Sequence, residues 1–309
     1  MYKKAKLKLY IPMLLLITIF SSFFLNFNIA LAFNEPNNKS DVHIIVDNLR
    51  TNKIPSNFRT TSNLTNIKNN SSLNLKGLET LNTSGSQQFS KDNLDILTKS
   101  IDSKLPILVI DLRQESHGFV NEFPISFANE KNDSNLGLSK SAVTFTEKKD
   151  LKSIKFNTPL TFYNHPEINV VPKEVLSEKQ LTKAYSLNYS RVPVTDTKLP
   201  TNEMVDCFVN IVKECSKENW LHFHCKAGFG RTTTFMIMYD MIKNYNNATS
   251  DEIIKRQFAL ANFDEKEIIE LSSIDRINFL NQFYNYCKDV NGNFDTTWSS
   301  WLNNSQNIK

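Results

Sequence analysis

Hydrophobic positions along this chain change their period several times, and the sharpest change falls at residues 220–242. Trp220, Leu221 and Phe223 belong to an apolar run that ends at Cys225. Five residues follow, Lys226, Ala227, Gly228, Phe229 and Gly230, and then Phe235, Met236, Met238, Tyr239 and Ile242 recur at helical spacing. This pattern predicts a buried strand, a tight loop and a helix. A second unbroken apolar run, residues 106–112, ends near the carboxylate of Asp111, as a buried parallel strand does. Residues 184–193 read as another strand, followed by a loop over 194–200 that ends in proline. Helices are expected over 91–100 with Ser90 as cap, and over 173–184, 202–214, 251–261 and 273–290. From about 120 to 172, short Phe-, Val- and Thr-rich runs are broken by Asn, Pro and Lys clusters, which predicts a few short strands in a small inserted β subdomain. Residues 34–90 are rich in Asn, Ser and Thr, and 62–75 read as loop. Strands alternating with helices around one loop give an α/β fold, a mostly parallel sheet flanked by helices.

The first residues follow another logic. Lys3, Lys4, Lys6 and Lys8 precede an apolar run over 9–27, and Ala30, Leu31 and Ala32 supply small residues at the offsets of a cleavage site. Residues 1–32 are therefore expected to be a secretory signal peptide, leaving 33–309 as the working domain of a secreted, periplasmic or cell-envelope protein. The competing reading is a retained membrane anchor, since the run is almost long enough to span. Cleavage would leave no stable anchor. It would also take the 36 basic residues to 32, against 32 acidic ones. A neutral chain of this kind has no nucleic-acid footprint. An even count of four cysteines invites disulfides in an exported chain. Cys207 and Cys215, however, fall in an apolar-periodic helix and read as core filler, and no spacing suggests a metal site.

The chemistry concentrates at Cys225–Arg231. A loop with two glycines can turn its backbone N–H groups inward around an anion. The following helix directs its positive N-terminus at the same place. Such surroundings favour a thiolate, the nucleophilic form of a cysteine. Arg231 offers a planar fork matched to two phosphate oxygens, and Thr232 supplies a hydroxyl for the sulfur. His224 reads as a core-facing group that orients the loop backbone, and His222 as a packed strand residue. Lys226 adds a positive charge inside the loop, which favours a highly charged phosphate substrate. The opposing reading of Cys225 is a buried structural thiol at the end of a core strand.

A thiolate that takes a phosphoryl group needs an acid to protonate the departing oxygen. Asp196, upstream of Cys225 in the Pro-terminated loop, stands where such an acid is expected. The alternatives are that Asp196 only organises a turn, or that Glu203 or Asp206 serves, although both fall on a predicted helix.

The Cys-x5-Arg-Thr pattern with His before the cysteine resembles the catalytic loop of the cysteine-dependent phosphatases. Residues 222–233 together with 111–118 (Asp-Leu-Arg-Gln-Glu-Ser-His-Gly) more closely resemble the bacterial PTP-like inositol polyphosphatases, the cysteine phytases. Similarity extends to residues 57–60, 84–86, 195–196, 256–257, 282–284 and 298–302, which spans most of the chain after the leader. The resemblance implies a phosphatase fold beside a partial β-barrel, and stepwise removal of phosphates from inositol hexakisphosphate with no metal or other cofactor. It implies Cys225 as nucleophile, Arg231 as phosphate clamp, Asp196 as general acid and Arg59 as a contact to substrate phosphate, with residues 226–230 as the cradle. Two positions depart from the family: Thr197 stands where His is frequent after the acid, and the lysines expected after the barrel and beyond the Arg256-Gln257 helix are missing. Residues 262–267 carry Lys266 as their only cation. Lys226 also resembles the lysine of phosphoinositide phosphatases with a His-Cys-Lys-Ala-Gly loop. Other expectations are therefore a tyrosine, dual-specificity or phosphoinositide phosphatase acting on phosphoproteins or lipids, and, from a different class, an inactive phosphate-binding module.

Overall fold

The computed structural model describes residues 42–49, 52–215 and 217–306. The expected signal segment 1–32 lies outside the described residues. Five strands form the central sheet: β2 (Arg59–Thr60), β3 (Thr83–Gln87), β4 (Ile107–Arg113), β10 (Asn188–Val194) and β11 (Trp220–Cys225). Their order is β10-β4-β11-β3-β2, parallel throughout except for β2, which runs antiparallel to β3. The C-terminal ends of β3, β4, β10 and β11 share one edge, where ligands are bound in open α/β sheets.

Helices α4 (Asn202–Cys215), α5 (Gly230–Asn244), α6 (Ser250–Ala261), α8 (Ile274–Asp289) and α9 (Trp298–Gln306) build one large core with the central strands. α5 is buried almost all round, consistent with a helix packed between the sheet and α6 and α8. Its close approach to the sheet depends on Gly85: a Cβ there would meet Met236 Sδ at 2.5 Å and Thr232 Cγ2 at 2.8 Å. On the far side of α5, buried Asp240 accepts from Arg256 in a buried ion pair and from Gln257 Nε2 at 2.8 Å. The buried Arg-Gln pair thus ties α6 to α5. α9 closes over α4, where Trp298 Nε1 donates to Asn202 Oδ1 at 2.9 Å and Ser299 N to Asp206 Oδ1 at 3.1 Å.

A second sheet, antiparallel, has the order β1-β6-β5-β9: β1 (His43–Val46), β5 (His117–Val120), β6 (Phe123–Ala128) and β9 (Val175–Leu176). With the hairpin β7 (Leu160–Phe162) and β8 (His165–Val170) it encloses a small core of its own around Val120, Ile125, Phe127 and Phe162. Two features of this region differ from the sequence-based expectation. The sheet draws β1 and β9 from outside residues 120–172, and that span holds a 14-residue helix, α2 (Lys140–Ser153). Val143, Thr144, Phe145 and Thr146 favour a strand locally. Ser139, whose side chain accepts from Ala142 N, starts the helix, and burial of Val143 and Leu151 holds it.

The remaining helices are α1 (Leu94–Ile101), α3 (Glu178–Ala184) and α7 (Glu265–Leu271). α1 starts later than expected. Ser90 and Asn93 exchange bonds, Asn93 Oδ1 accepting from Ser90 N at 2.8 Å and Ser90 Oγ from Asn93 N at 3.1 Å, so a turn precedes the helix.

Candidate active site

Residues 225–231 link the end of β11 to the start of α5. The loop's shape is fixed from outside. Lys226 O accepts from Gln88 N at 3.3 Å, Ala227 O from Asn57 Nδ2 at 2.9 Å and Gly228 O from Arg59 Nη1 at 2.7 Å. In a trans peptide the N–H points opposite to the preceding carbonyl. The N–H groups of Ala227, Gly228 and Phe229 are therefore turned toward the inside of the loop. Gly228 has φ +71°, and a Cβ on it would lie 2.3 Å from Gln87 N, so no side chain fits there. Cys225 is 3% exposed, and its sulfur accepts from Thr232 Oγ1 at 3.2 Å, as expected from sequence.

Arg231 is gripped on two of its three nitrogens. Nη1 donates to Glu115 Oε2 at 2.7 Å and to Val194 O at 3.0 Å, while Nη2 reaches Glu115 Oε1 at 3.0 Å and Asp196 Oδ1 at 3.1 Å. Nε is buried and has no hydrogen-bond partner among the described residues. Burial works against the guanidinium charge, but Glu115 and the Cys225 sulfur raise its pKa further above the arginine range. Glu115 is itself shared, since Arg113 Nε donates to its Oε1 at 2.9 Å. Burial would raise the Glu115 carboxyl, yet Arg231 and Arg113 hold it well below the usual carboxylate range. The chain of charges continues to Asp47, which accepts from Arg113 Nη1 at 2.9 Å and lies 3.9 Å from Lys226 Nζ. Glu115 was visible in the sequence only as part of a motif, and its role as the seat of the arginine comes from the structure.

Asp196 meets Arg231 from the loop after β10, with its side chain 29% exposed. Asn132 Nδ2 donates to its Oδ2 at 2.7 Å and Thr197 N to its Oδ1 at 3.0 Å. The carboxyl is thus steered from two sides and remains open to solvent. The competing acids lie elsewhere: Asp206 is engaged by Ser299, and Glu203 is exposed on α4.

The two strand histidines separate in chemistry. His222 sits between Ser84 Oγ, 2.9 Å from Nδ1, and Ser86 Oγ, 3.2 Å from Nε2. Burial and the neighbouring His224 lower it to about 3, so the ring is neutral and accepts at one nitrogen while donating at the other. His224 was expected to bond the loop backbone. Instead its Nε2 lies 2.6 Å from Glu178 Oε1, and its Nδ1 is buried without a partner. Against the effect of burial, His224 and His117 hold Glu178 at about 2. A buried carboxylate on α3 therefore orients the histidine beside Cys225, a partner that no sequence signal indicated.

His117 lies within 3.4 Å of Asp111, Glu147 and Glu178. Burial lowers its pKa, but Asp111 and Glu147 outweigh this and the opposing Arg113 and Arg191, and raise it to about 10. Its folded value exceeds the unfolded 6.5, so its contribution to stability is complete below pH 6.5 and lost as pH rises through 10. Thermal melts are expected to show Tm falling from pH 7 to 10, and His117→Gln to flatten that slope. A wild-type profile level across this range would contradict the assignment.

Two cations need separate comment. Arg59, expected as a contact to substrate phosphate, is 4% exposed and donates to Gly228 O and to Thr233 Oγ1 at 2.9 Å. It braces the loop from behind, stacked over Phe263 at 5.7 Å, and burial lowers its pKa to about 10. Arg276, which sequence reasoning passed over, reaches back from the first turn of α8. Its Nη2 lies 3.8 Å from the Cβ position of Gly230, and its Nε is buried without a partner. It supplies at the loop a cation beyond Lys266, the only one in residues 262–267. Among the described residues no cluster of three or more His, Cys, Asp or Glu side chains is arranged to hold a metal ion. All four cysteines are free.

Comparison with known proteins agrees with this geometry. A family model described as PTP-like phytase, inositol hexakisphosphate, matches residues 110–243. Effector protein hopD2 of Pseudomonas syringae pv. tomato is 31% identical over 265 residues, which are 79% of this chain and 56% of that protein. The PTP-like myo-inositol phosphatase from Mitsuokella multacida, solved with myo-inositol-(1,3,4,5)-tetrakisphosphate, is similar with TM-score 0.76 at 28% identity, covering 86% of this chain and 48% of that one. A PTP-like phytase from Bdellovibrio bacteriovorus is similar with TM-score 0.69 at 28% identity, covering 87% of this chain and 98% of that one. The chain thus spans about half the length of the hopD2 and Mitsuokella proteins. A sheet-edge loop carrying Cys225 and Arg231, the architecture around it and these similarities lead to one assignment: residues 110–243 of the chain belong to the PTP-like phytase family.

Proposed function

We propose that the protein is a phosphomonoesterase that works through a phosphocysteine intermediate and acts on inositol polyphosphates. The observation that carries this reading is the free Nε of Arg231, a buried donor held in place by Glu115 beside the Cys225 thiol, in a loop whose Lys226, Ala227 and Gly228 carbonyls are engaged outward. A phosphate seated there would receive the Nε–H and the inward N–H groups of the loop. Cys225 Sγ attacks phosphorus, the bond to the ester oxygen breaks, and Asp196 delivers a proton to that oxygen. Water then attacks the S-phosphoryl group, Asp196 takes its proton, and the S–P bond breaks to release phosphate and restore the thiolate.

Arg276 and Lys226 support a substrate with more than one phosphate, because both place positive charge at the loop beyond what a single phosphoryl group uses. The inositol phosphate held by the Mitsuokella relative points the same way. The acidic start of α7 at Asp264, Glu265 and Glu267 is the observation that favours a second reading, a phosphotyrosyl protein substrate, since a cation-poor rim suits a less charged ligand.

The deciding measurement is phosphate release by residues 33–309, with reductant and a chelator present, from inositol hexakisphosphate and from a phosphotyrosyl peptide. Faster turnover of the inositol phosphate is expected, and a preference for the peptide would move the assignment to the second reading. Asp196→Asn is expected to lower kcat about 10²- to 10⁴-fold on inositol phosphates. On p-nitrophenyl phosphate, whose leaving group needs little protonation, the loss should be about tenfold or less. Equal losses on both would point to a different acid. We also propose export, supported by the basic and apolar leader ending at Ala30–Leu31–Ala32. An N-terminus at Phe33 on the exported protein is the expected result.

A further inference from the structure

Away from the Cys225 loop, a cleft of about 540 Å³ runs along the outer edge of the central sheet. One wall is α2 and the other is α3, with Tyr189, Ser190 and Arg191 of β10 between them. Three features of this cleft point to a ligand. First, β10 is an edge strand. It pairs only with β4 among the described residues, so alternate N–H and C=O groups face outward without a strand partner. Second, Lys148 and Lys152 on successive turns of α2 and Lys179 on α3 are exposed along the cleft, and none of the three forms an ion pair among the described residues. Third, the cleft is floored by Leu151 and Val175, and Phe156 at its rim is 56% exposed.

Edge strands are commonly protected by lysines of their own, which repel a second strand. β10 has none. Its sequence is Asn-Tyr-Ser-Arg-Val-Pro-Val, and the one cation, Arg191, is buried against Glu147 at 2.6 Å. Here the lysines stand on the walls that flank the open strand, where they attract an incoming acidic chain. Pro193 limits pairing at the far end of β10.

We propose that this cleft binds an extended acidic segment of a partner protein, which adds to β10 as a further strand. Residues of such a segment alternate between two faces. An alternation of acidic and apolar side chains would therefore satisfy both the lysines and the apolar surface of Leu151, Val175 and the rim residue Phe156, with main-chain bonds to β10 supplying affinity. This site is separate from the Cys225 loop, and the inference does not depend on the catalytic reading.

The test uses a fluorescein-labelled peptide of alternating Glu and Val, six residues long, with residues 33–309 of the protein in fluorescence anisotropy at low salt. A Lys-Val peptide of equal length is the control. Binding of the acidic peptide, at least tenfold weaker for the control and weakened by added salt, is expected. Hydrogen exchange should show new protection in residues 188–192 when the peptide is bound. The variant Lys148→Glu, Lys152→Glu, Lys179→Glu should lose binding at least tenfold while keeping Tm and turnover of p-nitrophenyl phosphate. If this variant does not fold, the salt dependence and the exchange pattern of the wild-type protein decide. Absence of binding, equal binding of the two peptides, or binding without protection of 188–192 would each overturn the proposal. So would displacement of the peptide by inositol hexakisphosphate with no protection of β10, which would make the cleft a phosphate site.

Discussion

Cys225→Ser is expected to lower kcat roughly 10⁴-fold or more on every phosphomonoester. The reason is local. At neutral pH a serine hydroxyl is not ionised, and Thr232 Oγ1, which bonds the sulfur, donates to it and so does not act as a base for it. Binding should be preserved. The loop is shaped by bonds from Gln88, Asn57 and Arg59 to its carbonyls, and the Arg231 guanidinium is seated on Glu115, none of which involves the sulfur. The expected pattern is a Kd for inositol hexakisphosphate within about threefold of wild type, since the donors facing the phosphate are unchanged. Acid-quenched wild-type enzyme fed with labelled substrate should carry label on Cys225, and the variant should carry none. Turnover near wild type in Cys225→Ser would end the phosphocysteine mechanism. Loss of binding together with turnover would show instead that the sulfur holds the loop in shape.

The parts of the site legible in the sequence were those in which residue types at a fixed spacing fall in one loop. Cys225, Arg231, Thr232 and Gly228 lie within eight residues, so covalent spacing alone keeps them in one loop, although its shape is held by Gln88, Asn57 and Arg59. Asp196 was found by its place in a loop after a strand, and the structure brings it within 3.1 Å of Arg231. What sequence could not show were the partners. Glu178 looks like an ordinary acidic residue in the first turn of a helix, yet it faces inward to His224. Arg276 sits in the first turn of α8 among exposed neighbours, and only the packing of that helix carries it to the loop.

The same limit applies to the fold. The apolar runs of β4 and β11 were readable because they are buried on both faces. β3, their neighbour, was not, because Thr-Ser-Gly-Ser-Gln has no hydrophobic residue. It is nevertheless buried: Thr83 Oγ1 donates to Leu221 O at 2.8 Å, and Trp220 Nε1 donates to Ser84 Oγ at 2.9 Å. A polar strand satisfied by its neighbour's backbone and indole leaves no trace in a hydrophobic pattern. Helix α2 was missed for the opposite reason, since its β-branched and aromatic residues favour the wrong local structure and tertiary packing overrides them.

Glu115→Gln is expected to cost both stability and activity, and the two losses have one origin. Glu115 is the single carboxylate between the Arg113 and Arg231 guanidiniums, accepting from Nε of one and from both Nη atoms of the other at 2.7–3.0 Å. A glutamine fills the same space but brings an amide N–H₂ against guanidinium donors and removes the charge that both arginines share. Removing one partner of a buried ion pair costs about 3–5 kcal/mol, which for a chain of this size lowers Tm by roughly 10 °C. Arg113 retains Asp47 and Gln88, at 2.9 and 2.7 Å. Among the described residues Arg231 retains only Val194 O and Asp196, so it is the arginine that moves, drawn closer to the acid it already touches at 3.1 Å. An arginine pulled onto Asp196 withdraws its Nε from the phosphate position and neutralises the proton donor. kcat at 20 °C, well below the melting range, should therefore fall roughly 10²-fold, as when one preorganised donor is lost. The comparison that isolates this effect is Arg113→Lys, which disturbs the same cluster but leaves the Arg231–Glu115 pair in place. It should lower Tm with a much smaller change in kcat. Equal effects of the two variants on kcat would mean that Glu115 holds the fold of the cluster and not the aim of Arg231.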